Sequence, residues 1–410
     1  MQGNLFLNSK RLRYALIAGL ILWTGWLASI LLGKGTRDAA GQVLGVDFLA
    51  FYTGGTLVNS GQSAELYDLR AQQAVQRQVA GDDWGDLDIY FNPPFYAWLF
   101  MPFALLPYKL SVGIWIALEL AGLWLSLRIL SLKKPAHAFI WALTFAPVFS
   151  AVSFGQNTLM SLALLSLIYA LWRGGKLWAA GLTCSLLFYK PQLILGVGML
   201  WLLEWLFMRQ HWKPLAGLVL GGATLAGLSF SLMPDASRAY IEFSRIILPG
   251  FTTWEGFPLW NAHTPRAFWQ LLLPGLPRLA DGFFGLCLVA GLVAYWYFWR
   301  RFRDHPGLLY AGAIILTLWL TPHAMIYDWA ILLIPAVFLW QEPAADWKVT
   351  FALVWIAAFV SGPLTLAQLK LLPFALQISV PVLLCSALFV FIQLVRENEL
   401  ETQPLGQKAI

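Results

Sequence analysis

The chain has 410 residues, of which 59% are hydrophobic and only 12% charged, and its mean hydropathy is +0.66. A soluble domain carries about a quarter charged residues, so this composition excludes a soluble enzyme and a disordered chain and requires repeated membrane crossings. The net charge of +6 marks no nucleic-acid binder, because Lys and Arg sit in short clusters between apolar runs, and Cys184, Cys287 and Cys385 lie inside apolar segments without disulfide or zinc spacing.

The first apolar run, 14–33, follows Lys10, Arg11 and Arg13. It is long for a signal-peptide core and lacks a small-residue cleavage site, so it reads as a retained helix entering from the cytoplasm. A polar stretch, 34–92, comes next and holds 8 of the 21 acidic residues. Its middle predicts two short amphipathic helices, 48–60 and 64–79, the second capped by Ser63, lying along the membrane surface. The stretch 93–132 is too long for one straight span and contains Pro102 and Pro107, which predicts a short half-helix and then a full span.

Beyond this point short basic clusters alternate with apolar runs: Lys133 and Lys134, Arg173 and Lys176, Arg209 and Lys213, Arg300, Arg301 and Arg303, Lys348, and Arg396. The positive-inside rule places all of them in the cytoplasm. The connections 34–92, 155–157, 190–192, about 234–275, 321–328 and 361–372 then fall outside, and both termini inside. The expectation is one all-α integral membrane domain, 1–410, in a bundle of about twelve transmembrane helices with 34–92 as a large first extracytoplasmic loop and 234–275 as the second. No internal repeat is visible, and several spans are short, as happens around a buried polar site.

The polar residues of the outer connections mark that site. Asp47 sits among apolar neighbours soon after the first span. A carboxylate there suits a general base, whose pKa must approach the working pH; a helix N-cap for the segment starting at Phe48 explains it equally well. Asp82, Asp83, Asp86 and Asp88 read as a solvated turn, with a weak metal site as the alternative. Gln156 and Asn157 fit turn and cap chemistry at least as well as ligand binding. Asn261, His263 and Arg266 share a stretch rich in Trp and Pro, where aromatics belt the membrane interface more often than they stack on a ligand. Glu119 and Glu204 fall inside apolar spans; Glu204 has Arg209 as a possible partner, and Glu119 has none visible.

Taken in order, Asp47-Phe48-x-x-Phe51-Tyr52, Glu65-Leu66-Tyr67-Asp68, Phe91-Asn92-Pro93-Pro94-Phe95, Gly155-Gln156-Asn157 and Lys190-Pro191-Gln192 give a chain that resembles glycosyltransferase family 87. The resemblance implies the GT-C fold, a multi-span bundle with its active site on the outer face. It implies Asp47 as catalytic base, Lys190, Arg266 and His323 around the donor phosphate, and a polyprenyl-phosphate sugar, with mannose expected, as donor. A glycolipid or glycan would be the acceptor, and membrane lipids the surroundings. Tyr52, Asp68, Gln156, Asn157, Asn261, His263 and Tyr327 become candidates for substrate contacts. The chain departs from the pattern at Phe91 and Asn92, where many GT-C enzymes carry Tyr before the Pro pair.

The resemblance also implies an inverting reaction in the inner membrane of the cell. One carboxylate deprotonates the acceptor hydroxyl, and the lipid phosphate leaves from the opposite face of the sugar. No cofactor is expected, a divalent ion being possible but not indicated, and no phosphate-binding glycine loop appears in the chain. The competing reading is a secondary transporter or lipid flippase, which should show repeats and midplane charges.

Overall fold

The computed structural model describes residues 9–130, 134–209, 212–254, 256–341 and 347–402. Lys133, Gln210 and His211, from two of the basic connections, lie outside the described residues. Eighteen α-helices make up the described chain: α1 Ser9–Leu32, α2 Val46–Asn59, α3 Leu69–Ala80, α4 Pro94–Ala104, α5 Tyr108–Ile129, α6 Pro135–Leu143, α7 Ala146–Phe154, α8 Thr158–Arg173, α9 Leu177–Ser185, α10 Leu195–Met208, α11 Trp212–Leu232, α12 Pro234–Ile246, α13 Pro265–Leu272, α14 Pro277–Arg301, α15 Pro306–Leu320, α16 Leu333–Gln341, α17 Trp347–Leu369 and α18 Ser379–Thr402. No strand forms among the described residues, and two isolated bridges, Arg37 with Val43 and Ala262 with Met325, pin loops together.

Among the described residues seven helices are long and apolar enough to cross a membrane: Arg13–Leu32, Tyr108–Ile129, Pro191–Met208, Trp212–Leu232, Pro277–Arg301, Lys348–Leu369 and Ser379–Arg396. The pair α6 and α7 would make an eighth, bent by 75°. The bend falls where Pro147 opens α7, since proline has no N–H to continue the preceding helix. Four shorter apolar stretches, Thr158–Arg173, Leu177–Tyr189, Pro306–Leu320 and Ile326–Gln341, complete the bundle. The protein is an all-α polytopic membrane protein. Between residues 93 and 132 the prolines act as their positions demand. The 11-residue α4 contains Pro102 near its end, Pro107 caps α5, and α5 runs for 22 residues.

The first polar stretch folds differently from its pattern. The segment expected as a surface helix over 48–60 is α2, and it is buried: Phe48, Leu49, Ala50, Phe51, Thr53, Gly54, Gly55 and Leu57 all pack inside. Its aromatic residues interlock with α4 and α5. Phe51 stacks on Phe100 with centroids 4.9 Å apart, and Phe48 lies 5.9 Å from Trp115. A helix apolar on nearly every face belongs in the core rather than at an interface. The expected second helix starts later than 64. Ser63–Glu65 is a separate 3₁₀ turn, and the cap of α3 is Asp68.

Candidate active site

Two glycines bring the site together. Gly45, before α2, and Gly155, after α7, both take left-handed conformations, with φ of 62° and 68°. The two turns touch: a Cβ on Gly155 would lie 2.8 Å from the Phe48 Cβ and 3.2 Å from the Gly45 Cα. Only glycine permits both the backbone angle and the approach. This contact sets Asp47, in the first turn of α2, against Gln156.

Gln156 Nε2 donates to Asp47 Oδ2 at 2.9 Å and to the Tyr327 hydroxyl at 3.2 Å. The cap of α2 is Gly45, and no side chain caps that helix end. Asp47 is therefore not the N-cap that its position allowed, and its carboxylate points into the site instead. Burial raises its pKa to about 6. The Gln156 hydrogen bond and the Lys190 charge pull it down, and the Asp328 charge pushes it up.

Lys190 lies between two 3₁₀ turns, Leu186–Tyr189 and Pro191–Ile194. Its Nζ donates to Asp328 Oδ1 at 2.6 Å and sits 5.0 Å above the Tyr327 ring. Asp328 also accepts from the Thr158 hydroxyl and from the Met325 N–H. Asp328 received no role from the sequence. The signal was present: a lone acid next to Tyr327 in a connection shared with His323, in a chain with few charges to spend on solvation. A buried carboxylate in such a chain needs a cation.

The other expected residues divide. His323 is half-buried, edge-on to Phe251 at 5.6 Å. Burial lowers its pKa, Asp328 opposes this, and Lys190 and Arg266 add to it. In the free protein it is therefore mostly neutral imidazole at pH 7. Arg266 opens α13 and leans toward Asp281, with Nε 3.4 Å from Oδ1. His263 does not face the site. It is 1% exposed, its Nδ1 is 2.7 Å from the Ser379 hydroxyl, its ring lies against Trp329, and burial lowers its pKa to about 3.

Asn157 is also a framework residue, its Nδ2 donating to the Tyr96 hydroxyl at 2.9 Å. Tyr52 spends its hydroxyl on the Leu106 carbonyl. Asp68 is exposed and accepts from the Arg70 and Ala71 N–H groups, which makes it a cap and not a site acid. Asn261 is buried at the end of a 3₁₀ turn.

The acidic turn separates as well. Asp83 forms a two-pronged pair with Arg37. Asp88 is no solvated residue. Gln76 clasps its backbone at both N–H and carbonyl, one carboxyl oxygen is buried without a partner, and its pKa is raised to about 8 by burial and by the charges of Asp47 and Asp86. Among the described residues no three His, Cys, Asp or Glu side chains converge as a metal site.

The bundle of membrane helices thus sets one half-buried carboxylate against a side-chain amide and beside a lysine paired with a second carboxylate, groups of the kind that can move a proton and meet an anion. The model of glycosyltransferase family 87 matches residues 90–322, more than half of the chain, and the chain belongs to that family. The matched stretch contains Gln156, Lys190 and Arg266; Asp47 precedes it, and His323 follows it by one residue. No curated protein and no solved structure matches the chain. The protein is thus a glycosyltransferase, and the transporter reading gives way.

Proposed function

We propose that this enzyme transfers mannose from a polyprenyl-phosphate donor to a hydroxyl of a glycolipid or glycan acceptor, with inversion at the anomeric carbon. The observation that carries the reading is the Asp47 carboxylate held by Gln156 next to the Lys190–Asp328 pair, in a chain of family 87. Asp47 removes the proton of the acceptor hydroxyl as its oxygen attacks the sugar C1. The bond from C1 to the phosphate oxygen breaks on the opposite face, and the electron pair leaves with the lipid phosphate. Lys190 stabilises that growing charge, with Arg266 as a second cation and neutral His323 as a hydrogen-bond donor. Such contacts favour the transition state over the ground state because the charge appears only there. The Tyr327 hydroxyl accepts from Gln156, which leaves its own proton to donate to a sugar oxygen. In this reading the chain's own residues supply the chemistry, without a cofactor.

The proposed topology has twelve spans: the seven long helices, the bent pair and the four shorter stretches. Both termini lie in the cytoplasm, and the site opens on the outer face of the inner membrane. This rests on the positive-inside rule, under which the turns carrying Asp47, Gln156, Lys190 and Tyr327 all share one side. A lipid-borne donor suits that side, since nucleotide sugars are cytoplasmic.

The test is transfer by purified protein in liposomes from a panel of polyprenyl-phosphate sugars, with Asp47→Asn alongside. Asn keeps the shape but takes no proton at neutral pH. The variant should fold, bind the donor and lose about 10²–10⁴-fold in rate. Near-normal turnover by Asp47→Asn would remove Asp47 as the base. Efficient transfer from a nucleotide sugar without lipid would overturn the donor class.

A further inference from the structure

Glu119 lies eleven residues along α5 in an apolar span and is fully buried. An acid in that setting must find partners within the protein. Its Oε2 accepts from the Leu159 N–H at 2.7 Å and its Oε1 from the Met160 N–H at 3.2 Å. These are N–H groups of the first turn of α8, which have no partner inside the helix. The cap position of α8 belongs to Asn157, whose side chain makes no capping bond. Glu119 caps α8 from a neighbouring helix in its place.

The same face of α5 also meets the two turns that carry Asp47 and Gln156. Tyr108, Val112, Trp115 and Glu119 are spaced by four, three and four residues and fall in one stripe. The Tyr108 hydroxyl donates to the Leu44 carbonyl at 2.7 Å, just before α2 begins. Val112 lies so close to Gly45 that a Cβ there would meet it at 2.6 Å. The Trp115 indole donates to the Gly155 carbonyl at 2.9 Å. One rigid helix thus grips the turn that carries Asp47 and, through Trp115 and Glu119, both sides of Gln156.

We propose that Glu119 is a positioning residue, which fixes the first turn of α8 and thereby holds Gln156 against Asp47. Glu119 touches no reacting atom; it acts through the backbone of Leu159 and Met160. The inference rests on Asp47 being the base. Besides Gln156, Lys190 and Asp328 act on Asp47 through their charges, Asp88 and Asp47 act on each other, and the Lys190 charge also reaches Glu119; none of the three is hydrogen-bonded to Glu119, and none of them changes in the cycle below.

The test is a double-mutant cycle of Glu119→Gln with Gln156→Ala, read as the pH dependence of kcat/KM for the lipid donor. Glutamine keeps the shape but accepts at one oxygen only and turns a donor toward the second N–H. Glu119→Gln should move the acid limb toward higher pH, in the same direction as Gln156→Ala, and lower activity about fivefold at pH 6. In the Gln156→Ala background it should cost less than about twofold more. A purely structural loss would lower the whole profile without moving its midpoint. That result, or losses that multiply in full, would overturn the proposal.

Should Glu119→Gln fail to accumulate in membranes, the cycle is run with Glu119→Asp. That variant keeps the carboxyl group but falls a methylene short, and it should give a smaller displacement in the same direction; a wild-type profile from it would equally overturn the proposal. Asp47→Asn separates the two levels of inference. If it is inactive and the Glu119 variants have wild-type profiles, only the positioning role fails. If Asp47→Asn is active, the base assignment itself fails.

Discussion

Replacing Gln156 by Ala isolates the one hydrogen bond that the structure gives the Asp47 carboxylate. In the intact protein that carboxyl titrates near 6, so about nine-tenths of the enzyme carries an ionised base at pH 7. The Gln156 bond favours the charged form, and removing it must raise the pKa. A hydrogen bond to a charged group contributes about 1.5–3 kcal/mol, and one pH unit corresponds to about 1.4 kcal/mol. Water entering the vacated space replaces part of the bond, so the midpoint should rise by about one pH unit, to about 7. The base would then be about half ionised at pH 7. The expected loss is about fivefold at pH 6, about twofold at pH 7 and nearly none at pH 9. The assay is kcat/KM for a polyprenyl-phosphate sugar from pH 5 to 9, since this quantity reports groups of the free enzyme. A uniform loss at every pH, or a limb that moves toward acid, would show that Gln156 does not act through the ionisation of Asp47.

Further outcomes follow from the same geometry. Lys190→Ala should lower kcat/KM for the lipid donor by about tenfold or more. Because it strands the buried Asp328, at a cost of about 3–5 kcal/mol, it is judged in the Lys190→Ala/Asp328→Asn protein. Recovery of both stability and full donor use there would remove Lys190 from phosphate binding. His323→Ala should cost less than the lysine change, since the imidazole is neutral at pH 7; an equal or larger loss would mean that it carries charge when donor is bound. Gly155→Ala should lower thermal stability and activity together, because its Cβ meets Phe48 and its left-handed backbone costs about 1–2 kcal/mol. A normal melting temperature would refute the close approach. Cysteines placed at Ser63 and Gly175 should label from opposite sides of the membrane, and labelling from one side would reverse or break the proposed orientation.

The amino-acid sequence by itself determined the membrane class, because scarcity of charge and recurring apolar runs permit little else. It also determined that the stretch 93–132 is a short helix followed by a full span, since Pro107 acts through local backbone chemistry that no packing can undo. Asp47, Gln156 and Lys190 stood out as polar groups in apolar surroundings. Their partners did not. Asp47 meets Gln156 across 109 residues, and Lys190 meets Asp328 across 138. Periodicity and spacing describe one element at a time, whereas these pairs depend on which helices pack together. In the sequence His263 was expected among the substrate contacts and His323 at the donor phosphate. Packing buries one against Ser379 and Trp329 and leaves the other beside the Lys190–Asp328 pair. Asp68 and Asp47 were likewise two acids in one loop, until backbone N–H groups took the first and a side-chain amide the second. The burial of α2 was decided at the same level. A run apolar on all faces fits an interface or a core, and only the aromatic residues of α4 and α5 closing around Phe48 and Phe51 make it core.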